Sequence, residues 1–162
     1  MFKNILYITS IVLYSLLASQ TFAQQVKVDS ELNFIDTKYK ILHEYSQDLI
    51  DYSKSYVGDN LEYEISGSFQ QIVSTTSDYL DASYSFFLIY SKISNKNDRI
   101  TIKPIIQKQF QNYVYQIKIF VNEINNGLSH TKKSALSVSG DNLKKQIREL
   151  ISFYDNYQFL LQ

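Results

Sequence analysis

The chain has 162 residues, no cysteine, one methionine (Met1), and 16 basic against 16 acidic side chains. The absence of cysteine excludes disulfides, thiolate metal sites, cysteine acylation and c-type haem attachment. A neutral charge balance with no nucleic-acid motif argues against a nucleic-acid partner.

Lys3 precedes an uncharged, mostly apolar run from Ile5 to Ala18. Thr21-Phe22-Ala23 then places small residues three before and one before a cut between Ala23 and Gln24. That is the pattern of a cleaved signal peptide, and the run is shorter than the roughly 18 residues expected of a spanning helix. An uncleaved N-terminal anchor is the rival reading. The expectation is a leader over 1–23, a single helical domain over 24–162 with no stable membrane span, and a periplasmic or secreted bacterial protein. Fourteen tyrosines would suit a recognition surface, but AT-rich coding enriches the same residue types, so composition carries little functional weight.

The first helix is predicted over 30–57, where Leu32, Ile35, Tyr39, Leu42, Ser46, Leu49, Ser53 and Tyr56 keep a 3-4 spacing. Asp29 or Ser30 is placed to cap it and Gly58 to end it. The second helix, 61–93, is the longest and most aromatic. Asp59 and Glu62 form a capping-box pattern at its start, and its stripe runs from Ile65 and Phe69 through Thr76 and Ser83 to Phe86 and Tyr90, widened by Val73, Leu80 and Phe87. Gly67 on this helix is expected to allow close packing. Residues 94–99 are polar and aperiodic, a loop by composition.

In the third helix Pro104 is expected in the first turn, where its missing N–H costs nothing. Ile106, Phe110, Tyr113, Ile117, Phe120, Ile124 and Leu128 form its stripe, and Asn125-Asn126-Gly127 is the expected stop. Residues 129–140 admit two readings. They form a loop before a fourth helix at Asp141, or that helix begins near Thr131 and runs through Gly140. The series Leu136, Gly140, Leu143, Ile147, Leu150, Tyr154, Tyr157 and Leu161 supports the second, at a cost of about 1 kcal/mol for a helical Gly140, and Lys144 and Lys145 would sit badly in a first turn at Asp141; both readings stay open. Four long amphipathic helices with no credible strand predict an all-α fold, an antiparallel up-down-up-down four-helix bundle.

Charge is split between the halves. Residues 24–91 hold 11 acidic and 4 basic side chains, whereas residues 92–162 hold 5 acidic and 11 basic. Glu44, Asp48 and Asp51 share one helix face, and Lys132, Lys133, Lys144, Lys145 and Arg148 form the densest positive group. Helical angles place Tyr84 and Leu88 on the back of the second helix as an apolar spot, either covered by 129–140 or open to a partner. These ten residues are the candidate partner-binding positions. The split itself either solubilises the monomer, steers a charged protein partner, or supports self-association as a weak homo-oligomer.

Little points to catalysis, a cofactor or a metal. There is no Glu-x-x-His pair for a di-iron bundle, no nucleophile-elbow pattern and no phosphate-cradling glycine loop. His43 and His130 read as ordinary boundary histidines. Glu64, in Glu-Ile-Ser-Gly-Ser-Phe, faintly resembles the catalytic-glutamate segment of helical peptidoglycan-cleaving enzymes, without their glycine-rich flank. Ser46, Ser53, Thr76 and Ser83 lie on core lines, with Ser46 expected opposite Ile72, Ser53 opposite Ile65 and Thr76 opposite Leu42. Small-against-large packing or a pocket for a small apolar ligand would explain them. The leading expectation is an exported, non-enzymatic protein-binding module, such as an inhibitor or immunity-type antagonist. The alternative is a carrier or sensor of a small apolar ligand; a hydrolase using Glu64 or His43 is third. Intact-mass measurement of protein recovered from an exporting host is expected to give a chain beginning at Gln24; retention of Met1 would refute the leader.

Overall fold

No glycine or proline interrupts the chain before Gly58, and the first helix, α1 (Phe2–Ser55), accordingly runs unbroken. Asp29 and Ser30, expected to cap a helix starting at residue 30, instead lie inside it. The structure, a computed structural model, describes the backbone of residues 2–160 and the side chains of residues 29–157. The leader expected over 1–23 and its cut site therefore lie outside the residues whose side chains are described. Three further helices follow: α2 (Asn60–Lys92), α3 (Lys96–His130) and α4 (Ser134–Leu160). The described residues contain no strand, and none of their helices is long and apolar enough to cross a membrane.

The all-α four-helix bundle is the observed architecture. Gly58 adopts φ +101°, the left-handed conformation that lets the chain leave α1 and turn at once into α2. Contacts between helices fix their directions. From α2 to α3, Phe87 meets Phe110 and Tyr79 meets Tyr113, while Gly127 lies against Phe69. Rising numbers on one helix thus meet falling numbers on the other. The same holds for α1 and α4, where Phe34 stacks on Phe153 and Lys38 reaches Gln146. For α3 and α4, Phe110 meets Tyr157 and Leu128 meets Gly140. Backbones approach most extensively within the α1–α2 and α3–α4 hairpins. The end holding both hairpin turns is called the base here, and the end at the α2–α3 turn the top.

The predicted stripes form the core with few exceptions. Ile35, Leu42, Leu49, Phe69, Leu80, Phe110, Ile117, Leu143 and Tyr154 are fully enclosed, whereas Tyr39 lies at the surface. Of the hydroxyls on the core lines, those of Ser53 and Ser83 are bonded. Ser83 Oγ donates to Tyr79 O (2.7 Å) and pairs with the buried Tyr154 hydroxyl (2.8 Å). Ser53 pairs with Ser66 (2.8 Å), the neighbour of the Ile65 expected opposite it, and Ser66 donates to Leu49 O (2.9 Å). Thr76 Oγ1 is buried without a partner.

Three punctuation residues act differently from expectation. The α2–α3 connection is shorter than 94–99: Asn95 caps α3 by accepting from Asn97 N (2.9 Å), and Arg99 Nε bonds Ile93 O across the turn. This early start puts Pro104 inside α3 rather than in its first turn. Interior proline ordinarily costs about 3 kcal/mol, and the packing of Ile106 and Phe110 below it holds the helix through that point. Gly127 does not stop α3, which continues to His130 and ends with Thr131 N bonding Gly127 O (2.9 Å). Residues 134–140 are helical, so α4 follows the early-start reading and passes through Gly140.

Gly127 and Gly140 flank one ring. A Cβ on Gly127 would lie 2.7 Å from Phe69 Cε1, and one on Gly140 would lie 2.6 Å from Phe69 Cε2. Gly67, expected to be the packing glycine, has nothing within 4 Å of its Cβ position. Alanine at Gly127 or Gly140 would gain about 1 kcal/mol of helix propensity but would displace a fully buried ring. Urea denaturation is expected to show a net loss of up to about 2 kcal/mol for each. Gly67→Ala should gain about 0.5–1 kcal/mol, and a stabilising Gly140→Ala would refute the ring constraint.

Candidate partner-binding surface

Glu62 sits at the base, only 2 % exposed. Its capping-box role is not realised: Asp59 makes no side-chain cap bond, and the Glu62 carboxylate faces the α3–α4 turn. There it accepts from the Thr131 hydroxyl and from Lys132 N (2.7 Å). Lys133 completes the junction, lying 3.8 Å from Asp59 and 5.9 Å above the Tyr56 ring. The N–H that a capping box would offer is already engaged, since Asp59 N donates to Tyr56 O (2.9 Å), and the buried carboxylate takes its donors from the other hairpin. Burial pushes the Glu62 pKa up, but the hydrogen bonds from Thr131 and Lys132, with the charges of Lys133 and Lys132, outweigh it and hold the carboxyl below its ordinary value of 4.5.

Beside this junction the α1–α2 corner carries an unusual surface. Val57, Leu61 and Tyr63 are 79 %, 45 % and 53 % exposed. Leu61 also lines a groove of about 360 Å³ between α2 and α3, with Glu64, Ser68, Glu123, Asn126 and His130 around it. His130 Nδ1 lies 2.7 Å from Asn126 O and 3.0 Å from Ser129 Oγ. A carbonyl only accepts, so the hydrogen-bond network assigns the proton to Nδ1. Glu64 and Glu123 belong to none of the described ion pairs. No group of three or more His, Asp or Glu side chains among the described residues is disposed to hold a metal ion.

The ten sequence-predicted positions do not converge. Lys132 and Lys133 are at the base. Glu44, Asp48 and Asp51 are exposed along α1; Asp51 pairs with Lys54 (3.1 Å), and Asp48 lines a second groove of about 290 Å³ against α4, shared with Tyr45, Tyr52, Ser139 and Asn142. Burial, and then the carboxylates of Glu44, Asp48 and Glu149, push the Tyr45 hydroxyl up. Lys144, Lys145 and Arg148 line a shallow groove on α4, with Lys144 tied to Asp141 (3.1 Å). Tyr84 is exposed and Leu88 half-buried near the top. Residues 129–140 lie at the other end, so they do not cover that spot.

His43 and Glu64 are also apart: His43 is exposed on α1, and Glu64 shares its groove with His130 instead. Exposure at Val57, Leu61 and Tyr63 is not legible from the helical stripes, which include none of the three. The available signal was three large apolar residues within seven positions around Gly58. No protein-family model matches the chain, and no curated protein or solved structure compared with it is a match.

The depressed Glu62 pKa has a definite sign in stability. Below pH 4.5 the unfolded chain takes up this proton before the folded one, so the stabilisation is complete above that pH and is lost as pH falls through the folded value. Urea midpoints measured between about pH 3 and 6 should fall on acidification, and Glu62→Gln should flatten that dependence. Glu62→Ala is expected to cost about 1–3 kcal/mol at neutral pH, because Lys132 N–H loses its acceptor.

Proposed function

We propose that the chain is an exported, non-enzymatic protein-binding module that engages its partner through the base of the bundle. The observation that carries this reading is the exposure of Val57 and Tyr63 along one groove at the base, with Leu61 exposed on the α3-facing side of α2 and Asp59, Glu64 and Lys133 at the same end of the bundle. Exposed apolar side chains bordered by charged ones have the anatomy of an interface. The junction of Glu62 with Thr131 and Lys132 ties the corner to the second hairpin. A preorganised surface of this kind loses little entropy on binding. Export is supported by Lys3, the run Ile5–Ala18 and the small residues at Thr21 and Ala23. An inhibitor or immunity-type antagonist of another exported protein fits such a module.

The test places a photo-activatable residue at Tyr63 and, as a control, at Asn112 on the outside of α3. A single partner protein is expected to cross-link at Tyr63 and not at Asn112. Purified and remixed, that partner should bind at least about tenfold more weakly to Val57→Asp/Tyr63→Asp, since both side chains line one exposed groove. Equal affinity for the parent and the double variant would sink the reading.

A further inference from the structure

The seam between α1 and α4 twice combines an aromatic ring, a carboxylate and a cation. Towards the top, Lys38 lies 5.4 Å above the Phe34 ring and bonds Glu149. At the base, Lys133 lies 5.9 Å above the Tyr56 ring and 3.8 Å from Asp59. Between them, the groove of about 290 Å³ holds rings and a carboxylate without the cation. Tyr45, Asp48 and Tyr52, at 3-4 spacing on α1, line one side of it, and Val138, Ser139 and Asn142 on α4 line the other. Asp48 enters none of the described ion pairs. Of the cations along these helices, Lys54 pairs with Asp51, Lys40 with Asp36, and Lys145 lines the separate groove on α4 with Arg148.

Ser139 gives an independent sign that the groove takes a ligand. It is 8 % exposed, lines the groove, and its hydroxyl has no hydrogen-bond partner among the described residues. Such a hydroxyl ordinarily bonds its own helix, as Ser77 does to Val73 O (2.9 Å) and Ser83 to Tyr79 O (2.7 Å).

We propose that this groove binds a small organic cation, an ammonium or guanidinium group on an alkyl chain. Such a head group carries only donors, and Asp48, the Ser139 hydroxyl and the Asn142 amide oxygen supply acceptors. The rings of Tyr45 and Tyr52 attract a cation as Tyr56 and Phe34 already do. Val138, 62 % exposed, offers apolar surface to the methylenes. A neutral apolar ligand would strip water from Asp48 and leave its charge unpaired, and an anion would be repelled by it. The volume suits one such group rather than a large cofactor. This inference does not rest on the role of the base.

Titration of the purified, ¹⁵N-labelled chain with agmatine, which carries both head groups on one short alkyl chain, tests it. At about 0.15 M salt, where weak surface attraction is screened, saturable shifts are expected in amide signals around Asp48 and Ser139. Asp48→Asn should weaken binding at least about tenfold, and Tyr52→Leu about threefold, in spectra that otherwise report an intact fold. Asp51→Asn, which removes a carboxylate of the same helix outside the groove, should bind as the parent does. Acetyl-arginine amide separates the two sources of such a cation: stronger binding than agmatine assigns the site to a side chain of another protein, weaker binding to a free amine. Absence of saturable shifts with both probes, parent affinity in Asp48→Asn, or equal losses in Asp48→Asn and Asp51→Asn would each overturn the proposal. Methyl glucoside bound in the groove as tightly as agmatine would overturn it in favour of a neutral sugar.

Discussion

One aromatic ring sets the geometry of the lower half of the bundle. Phe69 is completely enclosed, and its two edges face backbone at Gly127 and Gly140. Both neighbours are helical, so the cost of glycine in each helix is accepted for close approach to the ring. This arrangement dictates what lies below it. With α3 continuing past Gly127 and α4 beginning before Gly140, only Thr131 to Lys133 remain to connect them. That short turn falls directly over the first turn of α2, where Glu62 receives it. The carboxylate thus completes a geometry that the ring and the two glycines impose.

The upper half is built on a different principle. Phe87 meets Tyr157 edge-on at 4.1 Å between ring centroids, and Phe110 contacts Phe87, Tyr154 and Tyr157. Edge-to-face and tilted pairs of this kind are favourable beyond the area they bury. They introduce a polar atom, the Tyr154 hydroxyl, which burial pushes far above its ordinary pKa. Ser83 resolves that difficulty by bonding both the phenol and the Tyr79 carbonyl. A serine on a core line is therefore required where a tyrosine from another helix arrives, and no ligand is needed to explain it.

Periodicity made the helices and most of the core legible. The α4 stripe from Leu136 to Tyr157 is buried at every predicted position, because a 3-4 spacing reports one face whatever packs against it. Residues read by local rule were less secure. Asp59 and Glu62 match a capping box, Gly127 follows two asparagines as a helix stop should, and Pro104 looks like an opening residue. The first two are outweighed by tertiary demands, donors for a buried carboxylate and space beside Phe69, and the third by another local signal, the Asn95 cap that starts α3 early. The candidate surface was less legible still. Exposure of Val57, Leu61 and Tyr63 depends on where the hairpin turns lie relative to one another, which no single-helix pattern contains.

The charge split looks different once the bundle is assembled. The overall division makes α1 and α2 acidic and α3 and α4 basic, but the most buried ion pair runs the other way. Lys38 on α1, 7 % exposed, bonds Glu149 and Gln146 on α4 and lies over the Phe34 ring. Ion pairs of this kind add little net stability, since desolvation offsets the attraction. Breaking one is costly, because an ammonium left buried without its acceptors is destabilising by several kcal/mol. Four helices with similar apolar stripes have competing ways to pair, and hydrophobic contact alone distinguishes them poorly. Any arrangement that moves α4 away from α1, or slips one past the other by a turn, strands Lys38. The reversed pair therefore selects which hairpin faces meet, and the only other charged group taken out of solvent among the described residues is Glu62, in its own junction at the base.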